Sequence, residues 1–397
     1  MPHIVVFSHL RWEFVFQRPQ HLLSRLSRHF PIVVVEEPLP TSGPARLERM
    51  SPCDGVEVLR PHTPVEARGF HDDQLAAMQP LISAYLNTNK IDDYVVWFYT
   101  PMALPLLGDL APRAVVYDCM DELSAFKNAP PQMREREAAL LERADLVATG
   151  GPRLYAAKRD ANPNVLCLPS AVDAHHYATH RAQADGAGMA HASELQGRIP
   201  APRLGFFGVI DERLDLDLVA ALADADPEWQ VVMVGPVVKI DAETLPRRIN
   251  LHWLGQQPYA VLPQLVAGWD ICLMPFALNE STDFISPTKT LEYMAAGKPV
   301  VSTPIHDVQA MFGDLVAIAK DSEGFIGACR RALDESEEER NDRETRMRNR
   351  VSEHSWDAAA ETIRRSLDAV LLATTAADAS PQPARHPDGQ RMVASEC

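Results

Sequence analysis

The stretch SPTKTLEYMAAGKPVV, residues 286–301, contains the signals of a helix that leads directly into a strand. Ser286 suits a helix N-cap, and Pro287 suits the first helical position. Gly297 is placed to end the helix, and Pro299 prevents its continuation. The apolar run that follows predicts a buried strand. This order of elements is the repeating unit of a parallel α/β sheet.

Short β-branched runs alternate with helical stretches along the rest of the chain. Strands of this length between helices predict parallel sheets buried on both faces. We therefore predict an α/β fold with two Rossmann-like, doubly wound domains that face each other across a cleft. The runs are HIVVF, PIVVVEE, DYVVWFY, AVVYDC, ADLVATG, NVLCLP, RLGFFG, WQVVMVG, DICLMPF, KPVVST and LVAIA.

A change of composition divides the chain. Residues 178–203 are rich in Ala, Gly and Pro, and we predict that they link an N-terminal domain, 1–177, to a C-terminal domain, 204–353. A periodic apolar stripe predicts a last helix over 354–372. Residues 373–397 have the composition of a disordered tail.

Charge and cysteine usage exclude several classes of function. The 397-residue chain carries 54 acidic against 38 basic residues, a formal charge of −16, which disfavours nucleic acid as a partner. Its six cysteines form no CxxC pair or zinc-ligand spacing, so we expect reduced thiols, no metal site and a cytoplasmic location. No segment has the length and apolarity of a membrane span, whereas peripheral attachment to the inner face of a membrane is left open.

Lys289 and Glu292 lie three residues apart in the predicted first turn of the helix. A lysine there is unfavourable, because the start of a helix attracts anions. A bound phosphate would compensate, and Glu292, one turn deeper, would then accept hydrogen bonds from a ribose. The alternative is an ordinary exposed pair on a capped helix.

The loop SHLRWEFVFQR after the first strand is predicted to project into the cleft on the acceptor side. Trp12 would stack on a sugar, and Arg18 and His21 would supply charged or polar contacts. Packing roles for Trp12 and His21 are the alternatives.

Two carboxylates lie at the end of the strand AVVYDC. Asp121 is predicted to face the cleft and to act on an acceptor hydroxyl, and Asp118 to be a structural partner on the acceptor side. Either could instead cap the next helix.

Several segments resemble retaining, nucleotide-sugar-dependent glycosyltransferases of the GT-B fold. In the second half these are RLGFFGVIDERLDLDLV (203–219), WQVVMVGPV (229–237), NLHWLGQQPYAVLPQLVAGWDICLMPF (250–276) and SPTKTLEYMAAGKPVVSTPI (286–305). FSHLRWEFVFQRPQHLLSRL and VVYDCMDELSAF resemble a bacterial subgroup that makes surface polysaccharides. The closing helix from HSWD is similar to the family's, which crosses back onto the first domain.

This resemblance implies transfer of a hexose from a nucleotide diphosphate sugar to a saccharide or lipid-linked acceptor, without a metal or other cofactor. Asp121, Lys289 and Arg213 are the implied catalytic residues. The implied donor-binding residues are Gly208, Arg213, Ser286, Thr288, Lys289 and Glu292.

Two positions depart from the family pattern. Phe284 occupies the place of the first glutamate in the family's E-x7-E motif, for which Asp283 or Glu280 would substitute. Val209 replaces the usual arginine after the strand glycine. Two alternatives remain: a nucleotide-sugar epimerase on the same fold, and a non-catalytic protein that only binds the nucleotide.

Overall fold

The computed structural model describes residues 1–108, 110–178 and 187–378. Its first sheet has the order β3-β5-β2-β1-β6-β7-β8-β9, and all pairs are parallel except β4, which runs antiparallel along β5. The strands of this sheet are β1 His3–Ser8, β2 Ile32–Glu36, β3 Leu39–Pro40, β4 Arg46–Cys53, β5 Val56–Thr63, β6 Tyr94–Phe98, β7 Ala114–Cys119, β8 Leu146–Thr149 and β9 Val165–Cys167.

The second sheet is entirely parallel and has the order β12-β11-β10-β13-β14-β15. Its strands are β10 Arg203–Phe207, β11 Gln230–Val234, β12 Leu251–Trp253, β13 Ile271–Met274, β14 Val300–Ser302 and β15 Ala317–Ile318. This is the doubly wound order of a Rossmann domain, with its switch point between β10 and β13. The predicted pair of Rossmann-like units is confirmed. Strands β3, β4, β5 and β12 are additions to the predicted set.

Helices cover both faces of the two sheets. In β1, Val5 and Phe7 point into one apolar cluster and Ile4 and Val6 into another, as expected for a strand buried on both sides. The helices are α1 Arg18–Leu26, α2 Leu75–Thr88, α3 Met133–Arg143, α4 Pro152–Lys158, α5 Ala174–Ala178, α6 Ala187–Gln196, α7 Leu216–Ala225, α8 Leu262–Ala267, α9 Lys289–Ala295, α10 His306–Phe312, α11 Ser322–Leu333, α12 Glu337–Ser352 and α13 Trp356–Asp378.

The last helix, α13, packs on the first sheet. Trp356, Ile363 and Leu367 are fully buried in the cluster that contains Leu22 and Leu23 of α1. The helix continues six residues past the predicted end at 372, through ATTAAD, in which three alanines favour a helix. The remainder of the predicted tail, 379–397, lies outside the described residues.

The predicted linker contains a helix. α6 lies within 178–203, and Gln196 at its end accepts a hydrogen bond of 3.0 Å from the buried Trp269 indole. This contact joins α6 to the second sheet's core, although the composition of the stretch is that of a loop. Residues 179–186 lie outside the described residues.

Two findings bear on the cellular setting. In the described part of the chain, no helix is long and apolar enough to cross a membrane. The cysteines within it are all unbonded thiols, as expected from their spacing: Cys53, Cys119, Cys167, Cys272 and Cys329.

Candidate functional site

Three adjoining cavities lie between the two sheets, at the carboxyl ends of their strands. We call them the large cavity (about 670 Å³), the junction cavity (about 100 Å³) and the outer cavity (about 500 Å³). All three share Gln17 from the loop after β1, and Val209 and Arg213 from the loop after β10. Ligand sites in open α/β folds occur at such switch points.

Helix α9 begins later than the sequence indicates. Thr288, not Ser286, is its N-cap, and Lys289 is its first residue, so the prediction for Ser286 and Pro287 is wrong. The Ser286 carbonyl instead accepts a 2.9 Å hydrogen bond from the Ser170 hydroxyl of the first half, which holds the chain outside the helix. Ser286 still lines the junction cavity, and Thr288 lines both the junction and the large cavity.

The predicted end of α9 is confirmed. Gly297 has φ +68°, and its N–H donates to the Met294 carbonyl. The next N–H, of Lys298, donates to the Tyr293 carbonyl, which completes a Schellman motif. The helix therefore turns at once into β14, and this fixes the position of α9 over the switch point.

Lys289 lines the large and junction cavities. Its side chain crosses Gly208, which has φ +145°, and its ammonium lies 5.8 Å from the centroid of the Phe206 ring. Among the described residues it has no hydrogen bond or ion pair. Burial lowers the pKa of Lys289, and the nearby Glu292 opposes that effect. This half-buried ammonium has unused donors that face the cavities.

Glu292 is buried and lines the large cavity. Burial raises the pKa of Glu292 to about 7, and the charge of Lys289 opposes the rise. The hydroxyl of Tyr177 faces this carboxylate without reaching hydrogen-bond geometry. Lys289 and Glu292 are therefore not the exposed surface pair of the alternative interpretation, since both line one cavity and no ion pair joins them.

Arg213 is held by Asp211. The Arg213 Nε lies 2.9 Å from Asp211 Oδ1, and Nη2 lies 2.7 Å from Oδ2, a bidentate geometry that fixes the guanidinium plane. The guanidinium carbon is 5.3 Å from the ring centroid of Phe126, a residue of the first half. Arg213 thus brings a positioned cation to the point where the three cavities meet.

Asp121 lines the junction and outer cavities, opposite Arg213. Burial raises the pKa of Asp121, while Arg213 and other cations oppose the rise. Its carboxylate forms no hydrogen bond or ion pair with the described residues. Asp118, in contrast, is fully buried and accepts hydrogen bonds of 3.0 and 2.8 Å from Arg18. It is a structural partner, as predicted from its position in the strand.

The predicted acceptor contacts of Arg18 and His21 need correction. Besides Asp118, the buried Arg18 donates to the Leu168 carbonyl at 2.7 Å, so it supports the wall of the junction cavity. His21 lines none of the three cavities and stacks on Trp356 at 4.8 Å, and burial lowers its pKa to about 3. The family resemblance predicted that the closing helix returns to the first domain, but not that its Trp356 would cover His21.

Trp12 lies in the cleft, and its partly buried side chain also packs against the core of the first half, as in the alternative interpretation. It lines the large cavity, next to the partly exposed rings of Phe14 and Phe16. Its backbone N–H donates to the Glu36 carboxylate at 2.7 Å, which turns the loop in this direction.

The two proposed substitutes for the first motif glutamate also need correction. Asp283 pairs with Arg153 at 2.9 Å, and Glu280 is exposed; neither lines a cavity. Phe284 packs against the core of the first half, under the Arg153 guanidinium. The motif position has therefore become an apolar contact between the two halves.

Sequence reasoning missed two residues of the cleft, Phe126 and Lys239. The Lys239 ammonium lies 4.5 Å from the centroid of the Phe126 ring, which also faces Arg213. The local feature that distinguishes Lys239 is its positive φ of +61°, and a backbone angle cannot be read from the sequence.

Across the described ranges, no group of three or more His, Cys, Asp or Glu side chains is arranged to hold a metal ion. The charged residues that line the junction cavity are the cations Lys289, Arg213 and Arg18, the last of them paired with Asp118, and the carboxylate of Asp121.

Comparisons with known proteins point to one kind of chemistry. Residues 215–365 match the profile of a family described as glycosyl transferase-like. A relative from Bacillus subtilis (strain 168), described as the putative teichuronic acid biosynthesis glycosyltransferase TuaH, is 26% identical over 285 residues. The match covers 66% of this chain and 69% of the relative.

Solved structures share the fold. The sucrose-phosphate synthase from Thermosynechococcus elongatus matches with a TM-score of 0.71 at 16% identity, over 94% of this chain and 100% of that one. Anabaena Alr3699/HepE in complex with UDP and glucose matches with a TM-score of 0.66 at 14% identity, over 93% and 100% of the two chains.

Proposed function

We propose that this chain, which has the fold of the solved GT-B enzymes and matches a glycosyl transferase-like family over residues 215–365, transfers a hexose from a nucleoside diphosphate sugar to a saccharide or lipid-linked acceptor. One observation carries the proposal: the unpaired ammonium of Lys289 and the fixed guanidinium of Arg213 line the same junction cavity as Asp121. The name of the Bacillus subtilis relative supports a role in surface-polysaccharide synthesis. The epimerase and binding-protein alternatives are set aside.

The large cavity is the proposed donor site. Its volume of about 670 Å³ is within the range of small-molecule sites. Glu292 would accept hydrogen bonds from the ribose, and Lys289, one turn earlier on α9, would donate to the diphosphate. Gly208 leaves room for this lysine, since any side chain there would occupy the path of the Lys289 methylenes.

The proposed reaction breaks the bond between the anomeric carbon and the diphosphate oxygen. Negative charge develops on the leaving diphosphate, and Lys289 and Arg213 stabilise it from fixed positions. The anomeric carbon forms a new bond to an acceptor hydroxyl, whose proton passes to the Asp121 carboxylate. The raised pKa of Asp121 favours this transfer, because a weaker acid has a more basic carboxylate.

Calorimetric titration with UDP, GDP, ADP and dTDP tests the donor site. We expect one nucleotide to bind, to the same extent with and without magnesium. Lys289→Ala should lower the affinity for the nucleoside diphosphate by about 10- to 150-fold, because it removes a charged hydrogen bond of about 1.5–3 kcal/mol. The affinity for the nucleoside should change little. Glu292→Ala should weaken both. Lys320→Ala, an exposed lysine on another surface, is the control.

Two results would count against these assignments: no binding of any of the four nucleotides, or equal loss of nucleoside affinity in the Lys289 and Glu292 variants. A dependence on magnesium would overturn the expected metal independence. The cytoplasmic location and attachment to a membrane surface stay predictions.

A further inference from the structure

The outer cavity is the part of the cleft that the donor does not fill. It has a volume of about 500 Å³ and opens between loops of the first half and residues Val238 and Lys239 of the second. Its lining includes a set of apolar side chains, which are Phe70, Met102, Leu123 and Met133. It reaches Asp121 at its inner end, so a molecule bound here has access to the proposed reaction centre.

Five cations line this cavity: Arg11 and Arg213, which are held by carboxylates, and Arg68, Lys127 and Lys239. Arg68 and Lys127 are exposed and form no hydrogen bond or ion pair with the described residues. Lys239 is held over the Phe126 ring at 4.5 Å and lies 3.7 Å from Glu212. The ring contact orients the ammonium while leaving its donors accessible.

The acidic side chains of the lining do not cancel these charges. The charge of Asp211 is paired with Arg213. Arg11, a further cation of the lining, is paired with Glu36 and is not counted among the available cations. Burial raises the pKa of Glu37 to about 7, so at neutral pH it is only partly ionised. A positive rim is unusual on a chain whose formal charge is −16. It would favour entry and retention of an anion at this one place.

We propose that the outer cavity binds an acceptor that carries a phosphate group, and that Arg68, Lys127 and Lys239 contact its oxygens. The phosphate stays at the rim while the acceptor hydroxyl reaches Asp121, and the apolar lining contacts the intervening part of the molecule. This inference rests on the proposed function, since it identifies the substrate class of the same cleft. The phosphate belongs to a sugar phosphate or to a lipid phosphate.

Matched pairs of probes test the inference with the full chain saturated with whichever of the four nucleoside diphosphates binds. Calorimetry compares glucose 6-phosphate with glucose, and geranyl phosphate with geraniol. We expect at least one phosphate to bind on the order of tenfold tighter than its neutral partner, as expected for a charged hydrogen bond. Added salt should reduce this preference, because the rim charges are exposed.

Variants locate the binding. R68Q/K127Q should lose the preference for phosphate, and the charge-conserving R68K/K127R should keep it. R348Q/K320Q removes two exposed cations of the second half that do not line the outer cavity and should behave as the unaltered chain. If the preference is confined to glucose 6-phosphate, the acceptor is a sugar phosphate. If it is confined to geranyl phosphate, the acceptor is a lipid phosphate.

The inference is overturned if neither phosphate binds better than its neutral partner, or if R68Q/K127Q retains the full preference. Failure of the proposed function gives a different result, since then no nucleoside diphosphate binds in the large cavity. Binding of a nucleoside diphosphate without any preference for the phosphate probes would refute only the inference about the acceptor.

Discussion

Glu292 makes the stability of the protein depend on pH in a direction opposite to that of most acids. Its pKa is raised by burial from the ordinary 4.5 to about 7. Between these two values an unfolded chain releases the proton and the folded chain keeps it. Stability is therefore fully present below pH 4.5 and is lost as the pH rises through 7.

The magnitude follows from the two pKa values. A difference of about 2.5 pKa units, at about 1.36 kcal/mol per unit, gives about 3 kcal/mol. The glutamine of Glu292→Gln has nearly the same shape as the glutamate and carries no charge at any pH. The free energy of unfolding of this variant should therefore exceed that of the unaltered chain by under about 1 kcal/mol at pH 5 and by about 3 kcal/mol at pH 8.

Urea unfolding at pH 5, 6.5 and 8, followed by tryptophan fluorescence, measures this difference. Glu142→Gln is the control, because Glu142 is exposed and should give no pH-dependent gain. Parallel profiles for Glu292→Gln and the unaltered chain would refute the assignment of a strained, buried carboxylate. Nucleotide affinity gives a second readout: it should rise from pH 6 to 8, because the ionised form accepts from the ribose, and it should be flat in Glu292→Gln.

Two further predictions concern the support of the site. Gly208→Ala should remove most of the nucleotide diphosphate affinity measured by calorimetry, because the added methyl collides with the Lys289 side chain at a φ of +145°; unchanged affinity would contradict the position given to Lys289. Arg18→Met should lower the free energy of unfolding by about 3–5 kcal/mol, because it leaves Asp118 charged and buried. The exposed pair Arg113–Asp93 provides the control, since Arg113→Met should cost under about 1 kcal/mol, and equal losses would contradict the argument.

Most of the strands that the sequence predicted are buried on both faces, where a continuous apolar run is required. Strand β4 escaped prediction because it is an exposed strand rich in polar residues, and β5 because polar residues interrupt its apolar ones. A local signal was available: Asp54-Gly55 lies between them, and Gly55 has φ +74°. An Asp-Gly pair between two strands is a strong hairpin signal. Strand β12, with three residues, is too short to show a period.

The site was predictable where one segment carries two of its residues. Lys289 and Glu292 share a helix, so their spacing already places them on one face. His21 was misplaced because its burial depends on Trp356, which is 335 residues away in the chain (356 − 21). Lys239 and Phe126 were missed for the same reason, since each acquires its role only through a residue of the other half.

The division of charge between the two halves links donor and acceptor binding. The cations that would hold the diphosphate, Lys289 and Arg213, belong to the second half, whereas Asp121 belongs to the first. Phe126 follows Asp121 by five residues, and its ring faces both Arg213 and Lys239. A shift of this loop on acceptor binding would therefore move the face against which Arg213 rests. The second half thus holds the guanidinium through Asp211, and the first half contributes the Phe126 ring on its other side.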